Sequence, residues 1–185
     1  MNIEIIAGSP RENSVTNRVA LFLKNHLEKN TTHTIGILDV REWNLPLLQD
    51  VFVSEDATPE AFKPLSKRMF AANAFILVTP EYNGSYTPAM KNLLDYYPKQ
   101  THKAFGIVTA SPGPLGGIRA TQQMQLLINA LFGIASPYML IVGGVDKKFD
   151  EAGTLNDPSF QKNIDLFVRE FLWLAESLCS ETVLN

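Results

Sequence analysis

The chain has 185 residues, 45% hydrophobic and 19% charged, a balance that excludes a disordered or fibrous protein and suits one domain over residues 1–185. Sixteen Lys and Arg against nineteen Asp and Glu give a net charge of -3, and no basic run is longer than Lys147-Lys148, which argues against a nucleic-acid binder held by phosphate contacts. The single cysteine, Cys179, leaves no intrachain disulfide and suits a reducing compartment.

Met1 and Asn2 lead straight into Ile3–Ala7, without the basic start and apolar length of a signal peptide, so a cytoplasmic chain is expected. The predicted strands are Ile3–Ala7, Thr34–Leu38, Ala74–Thr79, Ala104–Ala110 and Tyr138–Gly143. Several are apolar throughout, as in Phe75-Ile76-Leu77-Val78, which is what a strand covered on both faces requires. The first helix is expected over Val15–Lys29, with Val19, Phe22, Leu23 and Leu27 on one stripe. Thr58-Pro59, Thr87-Pro88 and Asp157-Pro158 each set a capping side chain before a proline, the start signal of a helix. The last helix carries a stripe from Phe160 through Ile164, Phe167, Val168, Phe171 and Leu174 to Leu178. Leu126–Val145 is the most apolar stretch, but Asn129, Gly133, Ser136 and Pro137 break it into a buried helix and a buried strand, so no membrane span is expected. Val40–Ala57 is read as irregular. Strands alternating with helices predict βαβ units, a parallel sheet and right-handed crossovers, hence an α/β three-layer doubly wound fold.

In such a fold, ligands bind beyond the carboxyl ends of the strands near the point where strand order reverses. After the first strand, Gly8-Ser9-Pro10-Arg11-Glu12-Asn13-Ser14-Val15-Thr16 opens into a helix. Its free N–H groups, its hydroxyls and Arg11 suit a phosphate; equally, Ser14 or Asn13 caps the helix and Arg11 points to solvent. The loop lacks the Gly-Lys-Ser/Thr ending of a P-loop, and there is no G-x-G-x-x-G, so a mononucleotide suits it better than a triphosphate or dinucleotide. After the third strand, Pro80-Glu81-Tyr82-Asn83-Gly84 offers backbone donors and a phenol ring to a flat heterocycle, or else is a turn in which Asn83-Gly84 supplies positive φ. After the fourth, Ser111-Pro112-Gly113-Pro114-Leu115-Gly116-Gly117 lets backbone lie against a ligand.

These loops, with Lys91-Asn92-x-x-Asp95 and Arg119-Ala120, resemble the NADPH-dependent FMN reductase family across the whole chain. The resemblance implies a flavodoxin-like fold with a five-stranded parallel sheet in the order 2-1-3-4-5. It implies non-covalent FMN, its phosphate held by Ser9, Arg11, Ser14, Thr16 and the backbone of Val15. Pro80, Glu81, Tyr82, Asn83 and Gly84 would line the isoalloxazine, and Ser111 and Gly113 would close its other side. Thr16 departs from the family pattern, where many members have asparagine; here Asn17 comes one place later. NADPH or NADH would be the electron donor, and a small molecule such as a quinone, azo compound, metal oxyanion or free flavin the acceptor. A homodimer or homotetramer is implied, with no obligatory acid–base side chain. The competing readings are a flavin-binding electron carrier and a redox sensor without nicotinamide turnover. His26, His33 and His102 lack metal-ligand spacing; His26 is expected at the surface, Cys179 as a small buried apolar residue, and Asp39 as a strand-end residue.

Overall fold

The computed structural model describes residues 1–181. Its elements in chain order are β1 (Asn2–Ala7), α1 (Thr16–Asn30), β2 (Thr34–Asp39), α2 (Lys63–Ala71), β3 (Ala74–Thr79), α3 (Pro88–Asp95), β4 (Ala104–Ser111), α4 (Ile118–Ala130), β5 (Ile134–Ala135), β6 (Leu140–Gly143), α5 (Val145–Lys148) and α6 (Gln161–Glu181). The strands form one parallel sheet in the order β2-β1-β3-β4-β5, with β6 also paired to β4. Strand order reverses between β1 and β3, as expected for the 2-1-3-4-5 arrangement.

β3 is buried along its whole length because both faces are covered. Ala74, Ile76 and Val78 pack with Val19 and Leu23 of α1 and with Phe167 and Phe171 of α6. Phe75 and Leu77 face the other way, against Leu65 and Met69 of α2, Leu93 of α3, and Met124 and Ile128 of α4. Alternation along the strand thus feeds two cores, one per face. A charged residue interrupts this pattern at Glu4 of β1, which is buried. It is held by Arg68 of α2, whose Nε donates to Oε1 at 3.0 Å and whose Nη2 donates to the Ile37 carbonyl at 2.8 Å. The charge is tolerated there because it is paired and hydrogen-bonded.

Two expectations need correction. The edge strand beyond β4 is split: Ile134–Ala135 pairs with Ala104 and Phe105, and Leu140–Gly143 with Val108–Ser111. Between them lies Pro137, which has no N–H to give to a ladder. Thr58 does not cap a helix. A 3-10 turn over Glu60–Phe62 precedes α2. The Thr58 hydroxyl instead donates to the Ser54 carbonyl at 2.8 Å and meets Ser66 Oγ at 2.9 Å. Ser66 in turn meets the Tyr97 hydroxyl at 3.0 Å, so the threonine anchors an irregular segment onto α2. Burial pushes the Tyr97 phenol up to about 12. The other two caps form as expected: Thr87 Oγ1 accepts from the Met90 N–H, and Asp157 Oδ1 from the Ser159 N–H. Among the described residues, no helix is long and apolar enough to cross a membrane.

Candidate functional site

The loops after β1, β3 and β4 meet at one edge of the sheet around a cavity of about 180 Å³. Ser9, Arg11, Ser14, Val15, Thr16, Pro80, Glu81, Tyr82 and Ser111 line it, together with Asn13, Ala110 and Pro112. Asn83, Gly84 and Gly113 lie outside the lining. Each loop has a local cause for its shape.

The β1 loop turns at Gly8. Its N–H donates to the Val78 carbonyl at 2.8 Å, its carbonyl accepts from the Thr87 hydroxyl, and a Cβ there would sit 2.3 Å from Met90 Cε. The cap residue of α3 thereby also fixes the end of β1. Ser9 follows, 1% exposed. The Arg11 guanidinium lies 5.3 Å from the centre of the Tyr82 ring, a cation–π contact that joins the first loop to the second. No described carboxylate comes within ion-pair distance of Arg11, so its charge is available to a ligand. The N–H groups of Asn13, Val15 and Thr16 donate to no described residue. Such open donors at a helix start favour an anion. Both readings of Ser14 are visible: it lines the cavity, and its Oγ accepts a long bond from the Asn17 N–H at 3.4 Å. The Thr16 hydroxyl donates to the Ala110 carbonyl at 3.3 Å, which ties the first loop to β4. Asn17 turns away, its Nδ2 donating to Asp39 Oδ2 at 3.0 Å.

In the β3 loop, Tyr82 and Ser85 exchange backbone bonds of 2.8 and 3.1 Å. Asn83 and Gly84 between them have φ of 51° and 84°. Two positive φ values inside a two-residue connection make a tight hairpin turn, for which Asn-Gly is the favoured pair. The turn holds Tyr82 beneath Arg11 and sends its own tip outward. Glu81 has a positional task that the sequence hid: its Oε2 accepts from the Arg119 N–H at 3.1 Å, and Oε1 lies 3.5 Å from Arg119 Nη1. The carboxylate thus caps the first turn of α4, where the helix dipole favours negative charge. The β4 loop is folded around the Gly113 carbonyl, which accepts from Ser111 Oγ at 3.2 Å and from the N–H groups of Gly116 and Gly144 at 3.2 and 3.3 Å. Gly113 therefore shapes the loop from behind, while Ser111 and Pro112 face the cavity.

The sequence passed over Ala110 and Pro112, whose apolar side chains carry no chemical signature, and read Asn13 as a cap alone. Two side residues also differ from expectation. His26 is half-buried and stacked on Phe22, with ring centres 5.5 Å apart, and burial pushes its pKa below 6.5. Cys179 is half-buried rather than buried, beside His33, whose Nε2 lies 2.9 Å from Glu176 Oε1.

The donor set suits a phosphate-bearing planar ligand: open helix-start N–H groups and an unpaired guanidinium at one end, an aromatic loop beside them. Comparison with known proteins points the same way. The sequence profile of the NADPH-dependent FMN reductase family matches residues 1–144. An FMN-dependent NADPH-azoreductase from Staphylococcus aureus is 32% identical over 179 residues, covering 91% of this chain and 92% of that protein. In structure, the flavoenzyme FerB, an NAD(P)H:(acceptor) oxidoreductase from Paracoccus denitrificans, superposes with a TM-score of 0.79 at 22% identity, over 95% of this chain and 97% of FerB. An NAD(P)H:quinone oxidoreductase from Methanothermobacter marburgensis gives a TM-score of 0.58 at 15% identity, over 91% and 96% of the two chains. With the sheet order, the three-loop cavity and these likenesses in agreement, the chain belongs to the NADPH-dependent FMN reductase family, oxidoreductases that use FMN and NAD(P)H, on a flavodoxin-like fold.

Proposed function

We propose that the cavity at the ends of β1, β3 and β4 seats FMN, and that the electrons pass to a small conjugated or oxidised acceptor. A quinone, an azo compound, a metal oxyanion or a free flavin would serve. The observation that carries the reading is the meeting of an unpaired guanidinium, Arg11, with the open N–H groups at the start of α1. Arg11, Ser9, Ser14 and the Val15 backbone would bind the phosphate, and the Thr16 hydroxyl would turn from the Ala110 carbonyl to join them. Several charge-assisted hydrogen bonds, each worth ~1.5–3 kcal/mol, would make that grip firm. Pro80, Glu81, Tyr82 and Ser111 would flank the ring system. Asn83, Gly84 and Gly113 would act one step back, through the turn and the loop they shape.

The chemistry supplied by bound FMN is hydride uptake from NAD(P)H and two-electron transfer to a second molecule. The chain's own part would be to bind the phosphate and to orient the ring with backbone groups. Nicotinamide and acceptor would use the site in turn, which predicts ping-pong kinetics. The name of the staphylococcal relative supports an azo compound among the acceptors. The same reading includes a homodimer or homotetramer in the cytoplasm.

The test is an absorbance spectrum of the purified protein before and after anaerobic NADPH, then turnover with an azo dye, a quinone, chromate and free FMN. Flavin bands that bleach with NADPH and recover with one of the acceptors are expected. Bands that persist with both NADPH and NADH would replace the reductase by an electron carrier or sensor. A colourless protein that does not bind added FMN would remove the cofactor site.

A further inference from the structure

Behind the first loop lies a second cavity of about 270 Å³, whose lining includes Glu12, Asn13, Ser14, Asn17, Arg18 and Arg41. Asn13 and Ser14 line both cavities, so the loop is a wall between them. On the rear side stands Arg41, two residues past the end of β2. Its Nε donates to both oxygens of Asp39 at 2.9 and 3.0 Å, and its own N–H to Asp39 Oδ1 at 3.0 Å. Asp39 is buried and is held in turn by Asn17 Nδ2 at 3.0 Å. The guanidinium is thus fixed to the sheet end and to the first turn of α1. Nη2 also donates to Asp39 Oδ2, which leaves Nη1 to reach the Glu12 carbonyl at 2.8 Å and the Arg11 carbonyl at 3.5 Å.

Peptide planarity gives this contact its meaning. In a trans peptide the carbonyl of one residue and the N–H of the next point in opposite directions, and no cis peptide occurs among the described residues. A Glu12 carbonyl drawn to the rear cavity turns the Asn13 N–H toward the front one. That N–H donates to no described residue. We propose that Arg41 is a positioning residue for the phosphate loop: it pulls the carbonyls of Glu12 and Arg11 backward, so that the loop's N–H groups face the anion. Arginine suits the task because its fork spans a carboxylate on one side and backbone carbonyls on the other, which a lysine's single ammonium cannot match. The inference rests on the phosphate reading of the front cavity.

The experiment compares binding of FMN and of riboflavin, which lacks the phosphate, to apoprotein of wild type, R41M, R41K and Asp39→Asn, with the melting temperature recorded for each. Wild type should prefer FMN. R41M should weaken FMN about tenfold or more while leaving riboflavin unchanged, since one charge-assisted bond is misdirected. R41K should not restore FMN affinity, and Asp39→Asn, which loosens the guanidinium's anchor, should shift it in the same direction as R41M. Equal loss of both ligands, or of neither, would make Arg41 merely structural and overturn the proposal. So would full affinity in R41K, which would assign the effect to charge alone. If R41M fails to fold, Asp39→Asn and R41K decide by the same criteria. A wild type with no preference for FMN over riboflavin would instead refute the phosphate reading itself, and is distinguishable for that reason.

Discussion

Under the proposed phosphate reading, Arg11 serves binding and not folding. Its side chain touches the Tyr82 ring and no described carboxylate, so Arg11→Ala should change stability by no more than about 0.5 kcal/mol. FMN retention should fall by about tenfold with the loss of one charged partner; a fluorescence titration checks it, and unchanged affinity would remove Arg11 from the phosphate site. His26 makes a different point. Burial favours its neutral form, outweighing the pull of Asp165 toward the charged one. A histidine whose folded pKa is depressed binds its proton more readily when unfolded. Its contribution is therefore complete above the unfolded value near 6.5 and is lost as pH falls through the folded one. Melting curves between about pH 7 and pH 5 should show wild type losing more stability than His26→Gln. The carboxylates Asp150 and Asp157, held low by hydrogen bonds from Thr154 and Ser159, lose theirs in a separate window below 3.8.

Among elements, the legible ones were those that carry their cause locally. β3 is apolar at every position because both its faces are covered, and Thr87-Pro88 caps α3 with its own hydroxyl. What the sequence did not disclose depends on partners far along the chain. Glu81 caps a helix whose donating N–H belongs to Arg119, and Thr58 answers to Ser66 rather than to the turn after it. The short strand Ile134–Ala135 is too brief to leave a periodic pattern between Gly133 and Pro137. For the candidate site, nine of the residues singled out in the sequence line the cavity. The division of labour was not legible: Asn83, Gly84 and Gly113 shape the loops while their neighbours line the cavity. Asp39-x-Arg41, a charge pair at the carboxyl end of β2, was the available signal for the rear support. One element-level prediction follows from β6. A Cβ on Gly143 would lie 2.3 Å from the Pro114 carbonyl oxygen, a backbone atom that cannot swing aside. Gly143→Ala should therefore displace the Ser111–Gly117 loop, costing about 1–3 kcal/mol and weakening FMN binding, as paired denaturation and titration would record.

For the whole molecule, the distribution of charge is uneven. Residues 120 to 145 contain no charged side chain, although α4 and the segment after it reach the surface. Leu126 is 63% exposed and Phe132 61%, and Gln122, Gln125 and Asn129 accompany them beside β5. The stretch itself adds no like charges to a contact with its own copy, and Lys99, whose ammonium lies 5.4 Å from the centre of the Phe132 ring, stands at its border. Under the homo-oligomer reading, Leu126→Asp should shift the protein toward monomer in sedimentation velocity, and an unchanged distribution would place the contact elsewhere.

The hairpin at Asn83-Gly84 sets how this molecule can change over evolutionary time. Its stem is fastened at the base, where the Thr87 N–H donates to Thr79 Oγ1 at 3.3 Å. At its tip a Cβ on Gly84 would meet no atom within 4 Å. Residues added at the tip would point away from the sheet, but they would also replace the Asn-Gly turn that holds Tyr82 beneath Arg11. Insertions would therefore redraw the entrance to the cavity and the place of Tyr82 together, so selection for new electron acceptors has a place to act that the sheet does not feel.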